Sequence, residues 1–201
     1  MPDLYAEEQP FYAEGFATLA GVDEVGRGCI AGPVFAAAVI LPRELRLSEL
    51  DDSKKLKASV RERLSEAILR EAVASCVAMV SVEEVDRLNI LWASMKAMRL
   101  AVEGLGVKPE LLLVDGNRVT DLKLPQRAIV AGDARCASIA AASVIAKVAR
   151  DRWMAEREAD YPGFSFAQHK GYGTAQHLRE LKTHGATPLH RRTFAPVQEY
   201  L

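Results

Sequence analysis

The residues best equipped for chemistry are acids that close apolar runs. Gly21-Val22-Asp23-Glu24-Val25-Gly26-Arg27-Gly28 follows an apolar lead-in (Phe16, Ala17, Leu19, Ala20) and precedes a second apolar run, Val34 to Leu41. This order reads as strand, acidic strand end, glycine-rich bend, strand. Adjacent carboxylates cannot both ionise cheaply unless positive charge sits over them. A divalent metal is the simplest remedy, with Arg27 a lesser partner. On a regular strand Asp23 and Glu24 point to opposite faces. Both share one site only if the pleat breaks, and Gly26 and Gly28 supply a backbone that permits a break. Asp23 is thus favoured over Glu24 as a ligand. Alone, the stretch reads equally well as a surface turn with a solvated Asp-Glu pair.

Two further acids occupy similar positions. Leu111-Leu112-Leu113-Val114 reads as a strand buried on both faces and hence central. It ends in Asp115-Gly116-Asn117, at the carboxyl end where open α/β sheets hold their sites; the competing reading of Asp115 is a turn-forming side chain. Ala128 to Asp133 closes another apolar run, with Asp133 either a ligand or the N-cap of the next helix. No Ser-His-Asp or Cys-His spacing competes with these acids. Two divalent ions ~4 Å apart, held by such a set, suit in-line displacement at a phosphodiester. Oxygen-only ligands favour Mg²⁺ or Mn²⁺ over zinc.

The elements that must position these acids follow from periodicity and caps. A helix is expected over 59–73, with Leu64, Ile68 and Ala72 as its buried stripe. The cluster Ser53-Lys54-Lys55-Leu56-Lys57 before it is either a solvated helix entrance or a set of phosphate contacts. Cys76 to Val82 alternates as a strand, and Ser81-Val82-Glu83-Glu84 is a capping box that opens a helix. Asn89 interrupts that helix before a second one over 90–105, where Trp92, Met95 and Met98 read as core filler. An alanine-rich helix is expected from near Ala134 to about Ala159, with Ala137, Ala140, Ala141 and Ser143 allowing close packing on the sheet. Within it, Lys147 and Asp151 are spaced to pair with each other. Tyr161-Pro162-Gly163-Phe164 ends it.

Gln168 to Thr174 reads as a basic, aromatic loop opening a helix from about Thr174 to His184, capped by Gly185. Tyr172, between two glycines, is free to present its ring. A basic groove with a projecting aromatic suits nucleic acid. Lys54, Lys55, Lys57, Lys170, Arg191 and Arg192 are the candidate phosphate contacts. Residues 1–15 read as a tail or packed arm anchored by Phe11 and Tyr12.

Composition sets the outer bounds. The chain has 201 residues, 49% of them hydrophobic and 26% charged, an ordinary globular profile. No apolar run is long enough to span a bilayer, and the acidic, proline-containing start is no signal peptide. Cys29, Cys76 and Cys136 are odd in number and unpaired in spacing, which points to a reducing cytoplasm rather than to disulfides or a zinc knuckle. A net charge of −1 neither announces nor excludes a nucleic-acid partner.

Taken in order, Asp-Glu-Val-Gly-Arg-Gly at 23–28, Asp-Ser-Lys-Lys-Leu at 52–56, Asp-Gly-Asn at 115–117, Gly-Asp at 132–133, Ala-Ala-Ser-Val-Ile-Ala-Lys-Val at 141–148 and His-Lys-Gly-Tyr-Gly-Thr at 169–174 resemble bacterial ribonuclease HII, the type 2 ribonuclease H. The resemblance covers nearly the whole chain after residue 17. It implies an α/β fold, a ribonuclease H-like mixed sheet flanked by helices with a helical C-terminal segment. The corresponding division is an N-terminal tail (1–15), a catalytic core (16–160) and a substrate-binding segment (161–201) within one structural unit. It implies that Asp23, Glu24, Asp115 and Asp133 are the catalytic, metal-holding acids, with two ions acting during catalysis. Gly26-Arg27-Gly28 would read a ribonucleotide 2′-hydroxyl, and Tyr172 would stack on substrate; Lys54, Lys55 and Lys170 join them as substrate contacts.

The implied activity is cleavage of RNA in RNA–DNA hybrids and nicking of DNA duplexes 5′ to an embedded ribonucleotide, leaving 3′-hydroxyl and 5′-phosphate ends, by a cytoplasmic monomer with no membrane partner. Many relatives carry a lysine where this chain has Ala131, which removes a nearby cation. The related ribonuclease HIII, which carries an added N-terminal domain, fits less well. The competing class is a non-catalytic nucleic-acid-binding protein on the same fold. A nucleotide-binding α/β enzyme is disfavoured, because Gly26-Arg27-Gly28 precedes a strand and lacks the dinucleotide fingerprint.

Overall fold

The computed structural model describes residues 3–201. Five strands form one mixed sheet in the order β3-β2-β1-β4-β5: β1 Leu19–Val25, β2 Val34–Ile40, β3 Ala74–Val80, β4 Leu111–Asp115 and β5 Gln126–Ile129. β2 runs antiparallel to β1 and β3, whereas β4 and β5 run parallel to β1. β1, β2 and the first four residues of β4 are almost wholly buried, as continuous apolar runs demand of central strands.

Helices cover both faces. After a short α1 (Gln9–Ala13), α2 (Ala58–Glu71) and the long α5 (Ala137–Glu156) lie on one face; α3 (Val82–Leu88) and α4 (Ile90–Glu103) lie on the other. Leu64 and Ile68 are the buried stripe of α2. Ser81 caps α3 through its side chain, which accepts from the Glu84 amide, and Asn89, at φ 64°, caps α4 the same way. α4 turns Ala93, Ala97, Met98 and Ala101 to the sheet, but Trp92 is 57% exposed. The core role expected of Trp92 fails because it lies one residue off that small-residue stripe, on the solvent side.

α5 approaches β1 very closely. A Cβ on Gly21 would stand 2.1 Å from the Ser138 carbonyl carbon, so strand and helix backbones touch with no side chain between them. The helix starts at Ala137, later than Ala134, because residues 132–134 form a separate 3₁₀ turn after Ala131 in the left-handed region (φ 53°). Its first turn is held by the N-terminal residues. The Leu4 carbonyl accepts from the Ala137 amide at 2.9 Å, and the buried Glu8 carboxylate accepts from the Ser138 amide at 2.8 Å. Leu4 and Glu8 thus anchor this region together with Phe11 and Tyr12, which pack beside β4 and α5.

The C-terminal residues build a smaller core around Phe164, Phe166, Leu181, Leu189 and Val197, into which Ile30, Ala31 and Met154 project. Its helices are α6 (Phe166–His169), α7 (Ala175–His184) and α8 (Ala195–Gln198). Among the described residues no helix is long and apolar enough to cross a membrane.

Candidate active site

β1 stays regular where the acids sit. Asp23 pairs with Ala37 and Glu24 with Ala36 in an unbroken ladder that continues to Val25. The expected pleat break is therefore absent: β1 has strands on both sides, and two ladders hold its register. Asp23 accepts from the Glu24 amide at 2.7 Å; Ser143, on α5 and near enough to lower the Asp23 carboxyl, shares a 2.9 Å hydrogen bond with Ser53. Glu24 lies one residue from the strand end and accepts from Arg27 at 3.1 Å. Asp115 closes the neighbouring β4 and accepts from the Gly132 amide at 2.7 Å. This contact needs a glycine, since a Cβ at 132 would stand 2.6 Å from Ile139 and 3.2 Å from the Asp115 carboxylate. Asp133, buried in the 3₁₀ turn, accepts from the Lys54 ammonium at 2.8 Å.

These acids feel one another strongly. Burial, then Glu24, Asp115 and Asp133, holds the Asp23 carboxyl well above the usual carboxylate range. Burial also raises Glu24, with Arg27 opposing it, and raises Asp115, with Asp133 adding to the effect. The four carboxyls thus outnumber the two cations, Lys54 and Arg27, that pair with them. Among the described residues, no three or more His, Cys, Asp or Glu side chains are gathered tightly enough to grip an ion as they stand; the carboxylates are taken up by Lys54, Arg27 and the Gly132 amide. The donor set is all oxygen, crowded and partly uncompensated, which fits a hard divalent cation. Lys54 also supplies a cation at Asp133 despite the alanine at 131.

Beside the acids, Gly26 to Cys29 forms a tight turn. Gly26 has φ +96°, and a Cβ there would strike the Arg150 guanidinium at 2.3 Å; a Cβ on Gly28 would meet nothing within 4 Å among the described residues. Gly26 is therefore glycine for the fold, whereas Gly28 leaves its backbone open to an approaching group. The turn is stitched to the aromatic loop: Cys29 bridges Tyr172, and the Ile30 amide donates to the Gly171 carbonyl at 2.9 Å. Tyr172 is 39% exposed, with the Lys147 ammonium 5.4 Å from its ring centre. Lys147 also binds Asp151 at 2.6 Å, the pairing expected from its spacing.

Two buried arginines hold both loops. Arg150 donates to the carbonyls of Pro33, Ala31 and Lys170. Arg191 donates to those of Gly32, Arg27 and Cys29. Arg191 is therefore no phosphate contact: it is fully buried, its charge spent on the turn's carbonyls. Arg150 went unremarked in the sequence, although its spacing from Ser143, Ala146 and Met154 put it on the buried face of α5. The lysines diverge. Lys54 enters the acid cluster, Lys55 pairs with Asp51 at 3.4 Å, and Lys170 donates to the Asp151 carbonyl at 3.2 Å. Lys170 lines a cleft of about 280 Å³ with Arg61, Asp151 and Arg152.

The family model described as ribonuclease HII matches residues 20–197. The chain belongs to the ribonuclease HII family. It is 54% identical to ribonuclease HII of Myxococcus xanthus over all of this chain and 69% of that protein. It is 57% identical to ribonuclease HII of Albidiferax ferrireducens, over 91% of this chain and 88% of the relative. The fold superposes on the crystal structure of ribonuclease H2 from Pyrococcus horikoshii with a TM-score of 0.77 and 26% identity, covering 91% of this chain and 96% of that one. Membership of ribonuclease HII makes the chain an enzyme, a hydrolase of the ribonuclease H type.

Proposed function

We propose that the chain cleaves RNA in RNA–DNA hybrids and nicks DNA duplexes 5′ to an embedded ribonucleotide, leaving 3′-hydroxyl and 5′-phosphate ends. The observation that carries this reading is the placement of four carboxylates, Asp23 and Glu24 on β1, Asp115 closing β4 and Asp133 in the turn that follows β5, beside an open glycine turn. Asp23, Glu24, Asp115 and Asp133 would hold divalent ions, Mg²⁺ or Mn²⁺ and two during reaction. Bound there, such ions supply the Lewis acidity that activates water and stabilises a departing 3′-oxygen.

The protein's own groups do the rest. The Glu24 amide orients Asp23, and the Gly132 amide orients Asp115, so both carboxylates are aimed before substrate arrives. Lys54, whose side chain is 76% exposed, would be free to give up Asp133 to a metal ion held there. The Gly26-Arg27-Gly28 backbone reads the 2′-hydroxyl, the group that separates RNA from DNA locally. The Tyr172 ring stacks on the sugar next to the scissile ribonucleotide, with Lys55 and Lys170 near phosphates. Residues 16–160 carry the chemistry and 161–201 grip substrate, within one unit. Three free thiols agree with a cytoplasmic setting, and the chain would act there as a monomer.

The test is a duplex carrying one ribonucleotide, incubated with and without Mg²⁺, with the product ends mapped. Mg²⁺-dependent nicking on the 5′ side is expected. Tight binding with no cleavage under any divalent ion would replace this reading with a non-catalytic binding protein.

A further inference from the structure

Behind Tyr172 lie three histidines that the chemistry above does not use. His169, His177 and His190 are 7%, 0% and 1% exposed and enclosed by Phe164 and Phe166. Burying an imidazole is unfavourable unless both ring nitrogens are satisfied, and here all of them are. His177 Nδ1 lies 2.9 Å from the Tyr172 carbonyl, which only accepts, so that nitrogen carries a proton. A neutral His177 then accepts at Nε2, and His190 Nε2, 3.0 Å away, is the donor. His190 Nδ1 is left to accept, and the Thr187 amide donates to it at 2.9 Å. The His169 ring stacks on His177 at 3.9 Å. It accepts from the Gly171 amide at 3.2 Å and donates to Glu180 at 2.9 Å.

One assignment of protons satisfies every contact, and the chain of bonds runs from Thr187 through two rings to the backbone of Tyr172. We propose that His177 and His190 are positioning residues for substrate recognition: their ordered, neutral tautomers hold the Tyr172 carbonyl and so fix the height and tilt of its exposed ring. A leucine pair would fill the same volume without gripping the loop. The proposal rests on the reading of Tyr172 as the substrate-stacking residue.

A double-mutant cycle on a duplex with one ribonucleotide tests it. His190→Leu should raise KM ~3–10-fold with kcat within ~2-fold, and in a Tyr172→Ala background the same change should move KM by less than ~2-fold. His190→Gln, which restores an N–H donor, should recover part of the loss. Additive effects, or loss confined to kcat, would overturn the positioning role while leaving Tyr172's own role intact. A silent Tyr172→Ala would remove the stacking reading and this proposal together. Should His190→Leu fail to fold, the native enzyme suffices: long-range ¹⁵N–¹H NMR of the rings should find Nδ1–H on His177 and Nε2–H on His190. The opposite tautomer on His177 would sink the idea without any variant.

Discussion

Cys29 and Tyr172 face each other as an isolated antiparallel bridge, so the glycine turn and the aromatic loop share a backbone seam. Residues 143 positions apart in sequence are thereby held side by side, with the Gly171 carbonyl accepting from both Ile30 and Ala31. A seam of main-chain bonds fixes relative position more tightly than side-chain contact, which the proposed discrimination of ribose from deoxyribose would require.

Replacing Asp115 or Asp23 by Asn should abolish nicking and leave the fold intact. Burial and its neighbours already hold Asp23 far above the usual carboxylate range, so ionising it at neutral pH works against folding. Asp23→Asn, measured without divalent ions, should therefore melt at the same or a higher temperature than the parent. A folded Asp115→Asn protein with near-normal turnover would dismiss the acid cluster as the catalytic site.

The two glycines of the turn should separate cleanly. Gly26→Ala meets a positive φ and the Arg150 guanidinium, and should lower stability by more than ~1 kcal/mol. Gly28→Ala meets open space, so its melting curve should match the parent while nicking of a single ribonucleotide falls ~10-fold or more, the sterically exposed backbone now being shielded. Equal melting losses in both variants would mean that Gly28 also serves the fold.

Cations should divide in the same manner. If Lys54 and Lys170 meet phosphates, the log–log slope of binding against salt should shrink by about 0.9 for each one neutralised. Arg191 belongs to a different class. Arg191→Ala leaves three turn carbonyls without their donor, at ~1–3 kcal/mol for each that stays buried and unpaired, and should unfold the C-terminal core first. Native-like melting of Arg191→Ala would contradict the burial argument.

Acid should loosen the histidine cluster. Burial, with neighbouring histidines adding to it, holds His177 and His190 down to about 4, against an ordinary value of 6.5. The folded state thus resists the added proton. The cluster's contribution to stability is complete above about pH 6.5 and declines as pH falls from there towards 4. His169 and Glu180 face the pair, and Arg191 follows it in the chain. Glu180, lowered to about 2, stays ionised across this window. Urea midpoints taken between pH 7 and 4 in an Asp23→Asn background, where that carboxyl's opposing titration is removed, should fall, and should fall less when His190→Gln is added.

Much of this was legible in the residues, for reasons that also mark where legibility ends. Asp115 and Asp133 stand out because each closes an apolar run, and the helices declare themselves through Ser81, Asn89 and the stripe of α2. Sequence reasoning asked for a broken pleat at Glu24; the regular strand instead ends one residue later, and the field of Glu24 reaches its neighbours from there. Arg191 looked like a phosphate contact because charge suggests solvent, and only tertiary structure shows which arginine faces inward. Trp92 looked apolar enough for the core, yet its position on α4 decides otherwise. The histidine chain was invisible, since its members are distributed over 21 positions and matter only once α6 and α7 fold together.

The contact of Gly21 with Ser138 sets a limit on error propagation. Elsewhere in the core, a mistake in packing can be absorbed by a rotamer, because side chains yield before backbones do. Here two main chains touch directly, and the strand carrying Asp23 is keyed to the helix carrying Ser143 like two halves of a rigid gauge. Amide hydrogens of β1 and of the first turns of α5 should consequently be among the slowest to exchange with solvent, and the bearing of Asp23 should survive disturbances that displace every loop around it.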